Sequence, residues 1–385
     1  MPRTAKPTKR RGGKSLQICH VITTISRGGA ENQLLILAKL QVLQGDKVTI
    51  VPLKGNLELM ESFLRIGAEV DLTLYRKNFI AQVRTFNFSQ QLKFDIVHCH
   101  LPQAELLLAF TLRKRPIITR HFGGAFYPNR NKFLSLFLSN FASRKSTAVI
   151  AISKSVNEYL SSSKEILKPS KIRVVEYGFC VNTFVGDYQV KKSRFEINAG
   201  QLHFGTLARL SPEKDLKTLI NASSLLSGEL DLNLQVKIFG DGPIKHDLER
   251  QILDLGVQDK VSLCGRTMNP VLTLSKFDVF VLTSQFEGFG MVLLEAMSIG
   301  LPIICSRIPS SVEILGETGA AIFFEPGNPI DLSNKMRNVQ TYLATNYQAE
   351  QAKRLDLYAS EVMLAKINTV YRESLAKHDS SDITE

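Results

Sequence analysis

"FDVFVLTSQFEGFGMVLLEAMSIGLPIICS" occupies residues 277–306. FDVFVLTS is a short apolar run rich in β-branched and aromatic residues, the pattern of a buried strand. MVLLEAMSIG has helix length, and LPIICS is a second strand-like run. Strand, helix and strand in succession form the crossover unit of a parallel sheet. Gly288 and Gly290 lie in the turn that leads into the helix. Without side chains they let a ligand approach the backbone, and the unpaired N–H groups at a helix start favour phosphate. Glu287 precedes the helix, and Glu295 sits about a turn and a half into it. A carboxylate at a phosphate-binding turn repels phosphate but accepts hydrogen bonds from sugar hydroxyls. The competing structural role for both acids is compensation of the helix dipole.

The same alternation extends in both directions. Upstream, SLQICHVI, KVTIVPL, EVDLTL, FDIVHCH, PIITRH, AVIAIS and KIRVVEYG read as strands separated by helical stretches. CVNTFVGDYQVKKSRFEINAG, residues 180–200, loses the rhythm. It restarts with LHFGTLARL, LQVKIFG, KVSLCG, FDVFVLTS, LPIICS and AAIFF. The expected architecture is α/β, with two doubly wound Rossmann-like domains facing across a cleft. The expected boundaries are a basic disordered tail at 1–14, an N-terminal acceptor-side domain at 15–180 and a linker at 181–200. A donor domain follows at 201–345, then a C-terminal helix at 346–385 that can cross back to the N-terminal domain, and a tail.

Open α/β sheets bind ligands at the carboxyl ends of their strands, so residues just after strands carry the information. GTLARLSPEKDL places Arg209 and Lys214 there, a guanidinium fork and a point charge for phosphate. IFGDGP ends a strand in Gly240 and Gly242, and SRGGAEN puts Gly28 and Gly29 between strand and helix. His121 follows the strand PIITR. His98 and His100 flank Cys99 and share one strand face, but no second ligand cluster in the sequence supports a metal.

Taken in order, GGAE (28–31), TRHF (119–122), AISKSV (151–156), ARLSPEKD (208–215), IFGDGP (238–243) and EGFGMVLLEAMSIGLPIICS (287–306) resemble the retaining glycosyltransferases of family 4, with the GT-B fold. The last segment is the most specific, because it looks like the family's Glu-x7-Glu motif. The resemblance implies that Arg209 and Lys214 hold the diphosphate of a nucleotide-sugar donor, a UDP-sugar being favoured. The turn Gly288, Phe289, Gly290 and Met291 would offer backbone amides to it. Glu287 would bind donor-sugar hydroxyls, Glu295 the ribose, and Arg266 and Thr267 the base. Gly240 and Gly242 would belong to the donor site. Gly28 and Gly29 would line the cleft near the transferred group, and His121 would contact the donor sugar. The acceptor would be a glycan or a lipid-linked sugar in cell-surface polysaccharide or glycolipid synthesis. The family works without a metal or other cofactor; the sequence shows no Asp-x-Asp after an apolar strand. Two departures stand out. Tyr177-Gly178-Phe179-Cys180 replaces the frequent Asn-Gly-x-Asp, and Ala208 and Asp215 replace glycines beside the cationic pair.

The net charge of +12 raises other readings. Half of it comes from Arg3, Lys6, Lys9, Arg10, Arg11 and Lys14 in a stretch without acids. An anionic membrane surface is a candidate partner for such charge. The segment KFLSLFLSNFASRK, residues 132–145, with Arg113, Lys114 and Arg115 close by in sequence, is a second candidate to contact that surface, the competing reading being a core-packed helix. Nucleic acid is disfavoured, since no aromatic-basic recognition motif accompanies the charge. A sugar-nucleotide epimerase on the same fold would need acid and base groups that the sequence does not display. Five scattered cysteines and the lack of an apolar signal segment suit a reducing cytoplasm, with peripheral contact at the inner membrane face.

Overall fold

The computed structural model describes residues 15–89, 93–110, 116–121, 132–163, 166, 168–185, 201–226, 234–343 and 346–381. The basic tail at 1–14, most of the expected linker, residues 113–115 and residue 122 lie outside them. The chain divides into two compact units. One joins Met1–Gly178 to Tyr358–Glu385, and the other is Phe179–Leu357.

The first unit holds seven strands: β1 (Gln17–Ile22), β2 (Lys47–Pro52), β3 (Glu69–Val70), β4 (Ile96–His100), β5 (Ile117–Arg120), β6 (Ala148–Ala151) and β7 (Ile172–Val174). Their order is β3-β2-β1-β4-β5-β6-β7, and every pairing is parallel. The second holds β8 (Leu202–Leu207), β9 (Leu234–Phe239), β10 (Val261–Gly265), β11 (Val279–Leu282), β12 (Ile303–Ser306) and β13 (Ile322–Phe324). Their order, β10-β9-β8-β11-β12-β13, is again parallel throughout. Both are doubly wound Rossmann-like sheets, as the alternation of elements leads one to expect.

Strands β6, β11 and β12 are apolar without alternation because helices cover both faces, whereas β9 and β10 alternate. All residues of β4, β5, β6, β11 and β12 are buried. In the second unit Phe204, Val236, Ile238, Val279, Val281 and Ile304 form one core. Each such side chain contributes ~1.5–3 kcal/mol through burial. Helix starts follow local chemistry. Ser153 of AISKSV caps the Lys154–Ser162 helix by accepting from the Val156 N–H at 3.1 Å.

Asp215 shows what the departure from glycine does. It has φ 44° and ψ 44°, a left-handed conformation that favours glycine. Its carboxylate accepts from Thr218 Oγ1 at 2.8 Å and Gln285 Nε2 at 3.1 Å, which offsets part of the strain. Acidic residues tolerate this region better than most.

The C-terminal stretch differs from expectation, being two helices rather than one. Tyr347–Leu357 stays with the second unit, where Gln351 Nε2 donates to the Leu301 carbonyl at 2.9 Å and the Ala320 carbonyl at 3.1 Å. Only Ser360–Ser381 belongs to the first unit, burying Met363, Ile367 and Tyr371 in its core. The chain therefore changes unit at 357/358, not at 345/346. The expected linker also begins as ordered structure, the helix Val181–Val185. Among the described residues no helix is long and apolar enough to cross a membrane.

Candidate functional site

In a doubly wound sheet the ligand crevice lies where the strand order reverses. In the second unit that point lies between β8 and β11. Beyond their carboxyl ends, Lys214 Nζ meets Glu287 Oε1 at 2.6 Å, with side chains 20% and 10% exposed. Ser284 Oγ donates to the same carboxylate oxygen at 2.7 Å. Thr283 Oγ1 donates to the Lys214 carbonyl at 2.8 Å, and the Gln285 N–H donates to the Glu213 carbonyl at 2.9 Å. The two loops are thus laced together, and the Lys214–Glu287 pair is their joint product. Sequence reasoning assigned these residues to different parts of a ligand and missed that they touch. An ammonium has three donors and a carboxylate about four acceptor sites, so both keep capacity for a ligand.

Arg209 is exposed, and both it and Lys214 act electrostatically on Glu213. Gly240 and Gly242 serve its loop. A Cβ on Gly240 would lie 1.8 Å from the Ala208 carbonyl oxygen, and one on Gly242 2.2 Å from that of Leu210. The Leu210 N–H donates to the Asp241 carbonyl at 3.0 Å. These glycines let two backbones meet, and so aim Arg209.

The Met291–Ser298 helix starts at Gly290, whose φ of 99° suits glycine. Phe289 is buried at 3% exposure, so it presents backbone rather than ring. Gly288 and Met291 flank it in the same turn. Glu295 is half-buried, and burial pushes its carboxyl up to about 7. Arg266 is exposed and pairs with Asp241 at 3.3 Å. Thr267 Oγ1 meets Thr273 Oγ1 at 2.6 Å and accepts from the Asn269 N–H, so it shapes the loop after β10.

In the first unit the reversal lies between β1 and β4. Gly28 has extended backbone, but a Cβ there would lie 2.4 Å from Glu31 Oε2. Burial makes Glu31 harder to ionise. Gly29 has open space beside it. His121 is joined to a buried chain that sequence reasoning did not foresee. His20 Nδ1 lies 3.0 Å from His100 Nε2, and His100 Nδ1 lies 3.2 Å from His121 Nε2. His121 Nδ1 bonds Tyr177, the residue that departs from the family pattern. His20 Nε2 meets Gln41 Oε1 at 2.8 Å. His98 bonds Tyr371 at 2.9 Å and Thr119 at 2.6 Å. The only sequence signal was periodicity, which puts His98 and His100 on one face.

Ligating nitrogens of His20, His98 and His100 fall within 4.8 Å of one another. Both ring nitrogens of all three are nevertheless committed to hydrogen bonds, and no carboxylate joins them to balance a cation. The chemistry is that of a hydrogen-bond network. Burial lowers the pKa of His20 to about 4 and of His121 to about 3, with His98 and His100 also held well below normal.

Next to His121, Arg120 Nε pairs with Glu105 Oε2 at 2.8 Å, both buried. Arg120 Nη2 also donates to Ser139 Oγ at 2.9 Å, on the Lys132–Lys145 helix.

Residues 27–181 match Glycosyltransferase Family 4, and residues 187–355 match Glycosyl transferases group 1. The chain is 23% identical over 244 residues to N-acetyl-alpha-D-glucosaminyl L-malate synthase of Bacillus anthracis, covering 62% of each chain. It is 26% identical over 332 residues to GDP-mannose:cellobiosyl-diphosphopolyprenol alpha-mannosyltransferase of Xanthomonas campestris, covering 80% of this chain and 83% of that one. Among solved structures, Anabaena HepE in complex with UDP and glucose superposes with a TM-score of 0.76 at 19% identity, over 92% of this chain and 98% of that one. That likeness is one of fold.

The neutral histidines have a consequence for stability. Their folded pKa values lie below the unfolded value of about 6.5, so the unfolded chain binds more protons in acid. Stability is fully present above pH 6.5 and falls below it, by up to ~1.4 kcal/mol per pH unit for each histidine. Glu295 and Glu31 act oppositely, but they are two groups against four, and Glu295 lies in the other unit. Urea midpoints at pH 7.5, 6 and 5 should fall steeply, ahead of carboxylate titration. A flat profile across that range would contradict the buried neutral network.

Proposed function

Because the chain belongs to the family 4 glycosyltransferases, we propose that it moves a sugar from a nucleotide diphosphate donor to a glycan or lipid-linked acceptor. The observation that carries this reading is the Lys214–Glu287 pair at the switch point, with exposed Arg209 on the same loop after β8 as Lys214. Lys214 and Arg209 meet the diphosphate, whose charge grows as the glycosidic bond breaks. Glu287 and Glu295 accept from sugar and ribose hydroxyls, and the amides at Gly290 and Met291 add donors. The protein charges replace a metal in this reading, and configuration is retained, as the family resemblance implies. A UDP-sugar is the favoured donor, and HepE, of the same fold, is a protein solved with UDP and glucose. The Xanthomonas relative's name specifies a diphosphopolyprenol acceptor, which supports a lipid-linked acceptor in polysaccharide or glycolipid synthesis.

The Lys132–Lys145 helix supports a membrane-facing role. Its inner face is polar and small, with Ser135, Ser139, Ala142 and Ser143 buried. Its outer face carries Phe133 at 82% exposure, Phe137 at 66% and Leu134, followed by exposed Arg144 and Lys145. This inverts the usual amphipathic helix. Exposed phenylalanines beside cations fit an anionic lipid surface, where a lipid-linked acceptor resides. The stretches 1–14 and 113–115 lie outside the described residues and carry no part of this argument.

Three measurements test these assignments. Free nucleotide diphosphate should appear only when acceptor is present, undiminished by chelators, with early product of the donor's anomeric configuration. Arg209→Ala should lower kcat/KM on the order of 100-fold, while Lys214→Ala also destabilises the fold by leaving Glu287 partly buried without its cation. Acceptor-independent release at the full rate, or an unchanged Arg209→Ala enzyme, would remove the reading.

The second measurement concerns pH. Hydroxyl recognition needs ionised Glu295, so donor KM should fall by up to ~10-fold per pH unit as pH rises towards 7, then level off. Glu295→Gln should abolish that dependence. A pH-independent donor KM in the native enzyme between pH 6 and 8 would detach Glu295 from the donor.

Sedimentation with vesicles tests the helix. Native protein should bind anionic vesicles at low salt and release at high salt. Phe133→Ser with Phe137→Ser should lose binding while keeping its fold. Equal binding by native and doubly substituted protein would refute the assignment.

A further inference from the structure

The chain of imidazoles behind His121 has a direction, and one buried amide sets it. Gln41 is fully buried. Its Nε2 donates to Tyr371 Oη at 3.2 Å, which leaves Oε1 facing His20 Nε2 at 2.8 Å. A carbonyl oxygen only accepts, so His20 carries its proton on Nε2. Neutral imidazole has one N–H, so His20 Nδ1 is an acceptor, and His100 must donate to it from Nε2. The same step repeats outward: His100 Nδ1 accepts from His121 Nε2–H, and His121 Nδ1 accepts from the Tyr177 hydroxyl. Burial, which keeps every ring neutral, removes the doubly protonated form that would break the sequence. Tyr371, having accepted from Gln41, donates to His98 Nδ1. Both branches leave from Gln41.

We propose that Gln41 is a positioning residue, which through His20 and His100 fixes His121 as its Nε2–H tautomer. The chain is not a proton relay: it ends on an amide, which neither takes up nor releases a proton near neutral pH. Its effect is static. It decides which edge of the His121 ring carries the N–H and holds the ring against Tyr177. The link to catalysis rests on the reading that His121 contacts the donor sugar.

The test is Gln41→Glu, an isosteric change, with histidine tautomers read by nitrogen-15 NMR in the full chain. An ionised carboxylate beside a neutral imidazole in this interior has no charge partner and is disfavoured. The carboxyl proton sits on the oxygen that faces His20 and is donated to Nε2, a far stronger base than the Tyr371 hydroxyl, or it sits on His20 as an ion pair. In either case His20 Nδ1 carries a hydrogen. It donates to His100 Nε2, and the direction of the whole chain reverses. Native protein should show Nε2–H at His20, His98, His100 and His121. The variant should show Nδ1–H at His121, with turnover down on the order of 10-fold and donor KM nearly unchanged. A mixed or Nδ1–H tautomer at His121 in the native chain would overturn the proposal, and that measurement does not depend on the variant folding. So would an unreversed His121 in the folded variant. Reversal with unchanged turnover leaves the wiring standing and removes His121 from the reaction. A purely structural Gln41 would alter stability and leave the tautomer of His121 where it was.

Discussion

Parallel strands covered on both faces give a polar side chain few places to go. Water reaches them only beyond the strand ends, and the crossover helices leave a gap there at the point where strand order reverses. Both units obey this constraint. The Lys214–Glu287 pair lies past β8 and β11, and Gly28, Gly29 and His121 lie past β1 and β5. Polar groups that remain inside the sheet have to satisfy one another. The imidazoles do so through Gln41, Thr119 and two tyrosines, and Arg120 does so through Glu105 and Ser139. For the imidazoles this closes the account of ring donors and acceptors, which is what lets them persist at low dielectric.

The ion pair joins fold to chemistry. A pair this close and this shielded is costly to desolvate, and its Coulomb attraction offsets that cost only if the remaining sites are bonded. Ser284 fills one, and Ser306 in turn donates to the Ser284 carbonyl at 2.5 Å. A donor molecule that brings phosphate to Lys214 and hydroxyls to Glu287 would complete the set with the same groups already in place. Gly240 and Gly242 permit the close backbone contact behind Arg209, which gives mechanical support to a charge.

Arg120 connects the interior to the surface. It needs acceptors from the helix packed over it, and Ser139 is one of them. That requirement places the serines inward and leaves Phe133 and Phe137 outward. The apolar outer face of the Lys132–Lys145 helix thus follows in part from a buried guanidinium, not from the usual matching of an apolar stripe to a core.

The alternation of apolar runs with helix-length segments was enough to specify two parallel sheets, because burial on both faces writes an unbroken apolar strand into the sequence. Glu287, Arg209, Lys214 and the Gly290 turn stood out as candidates because they come soon after strands, where chain order and space coincide, and Glu295 by its place in the helix that follows. The rest needed three dimensions. Lys214 and Glu287 are 73 residues apart, and nothing local to either says that they touch. Gln41 and Tyr371 are 330 apart, and the second arrives only because the final helix returns to the first unit. The division of the C-terminal stretch into two helices in different units depended on which carbonyls Gln351 reached. Periodicity reports the face a side chain occupies. Its partner on that face is chosen by packing between distant segments, and only the tertiary structure settles it.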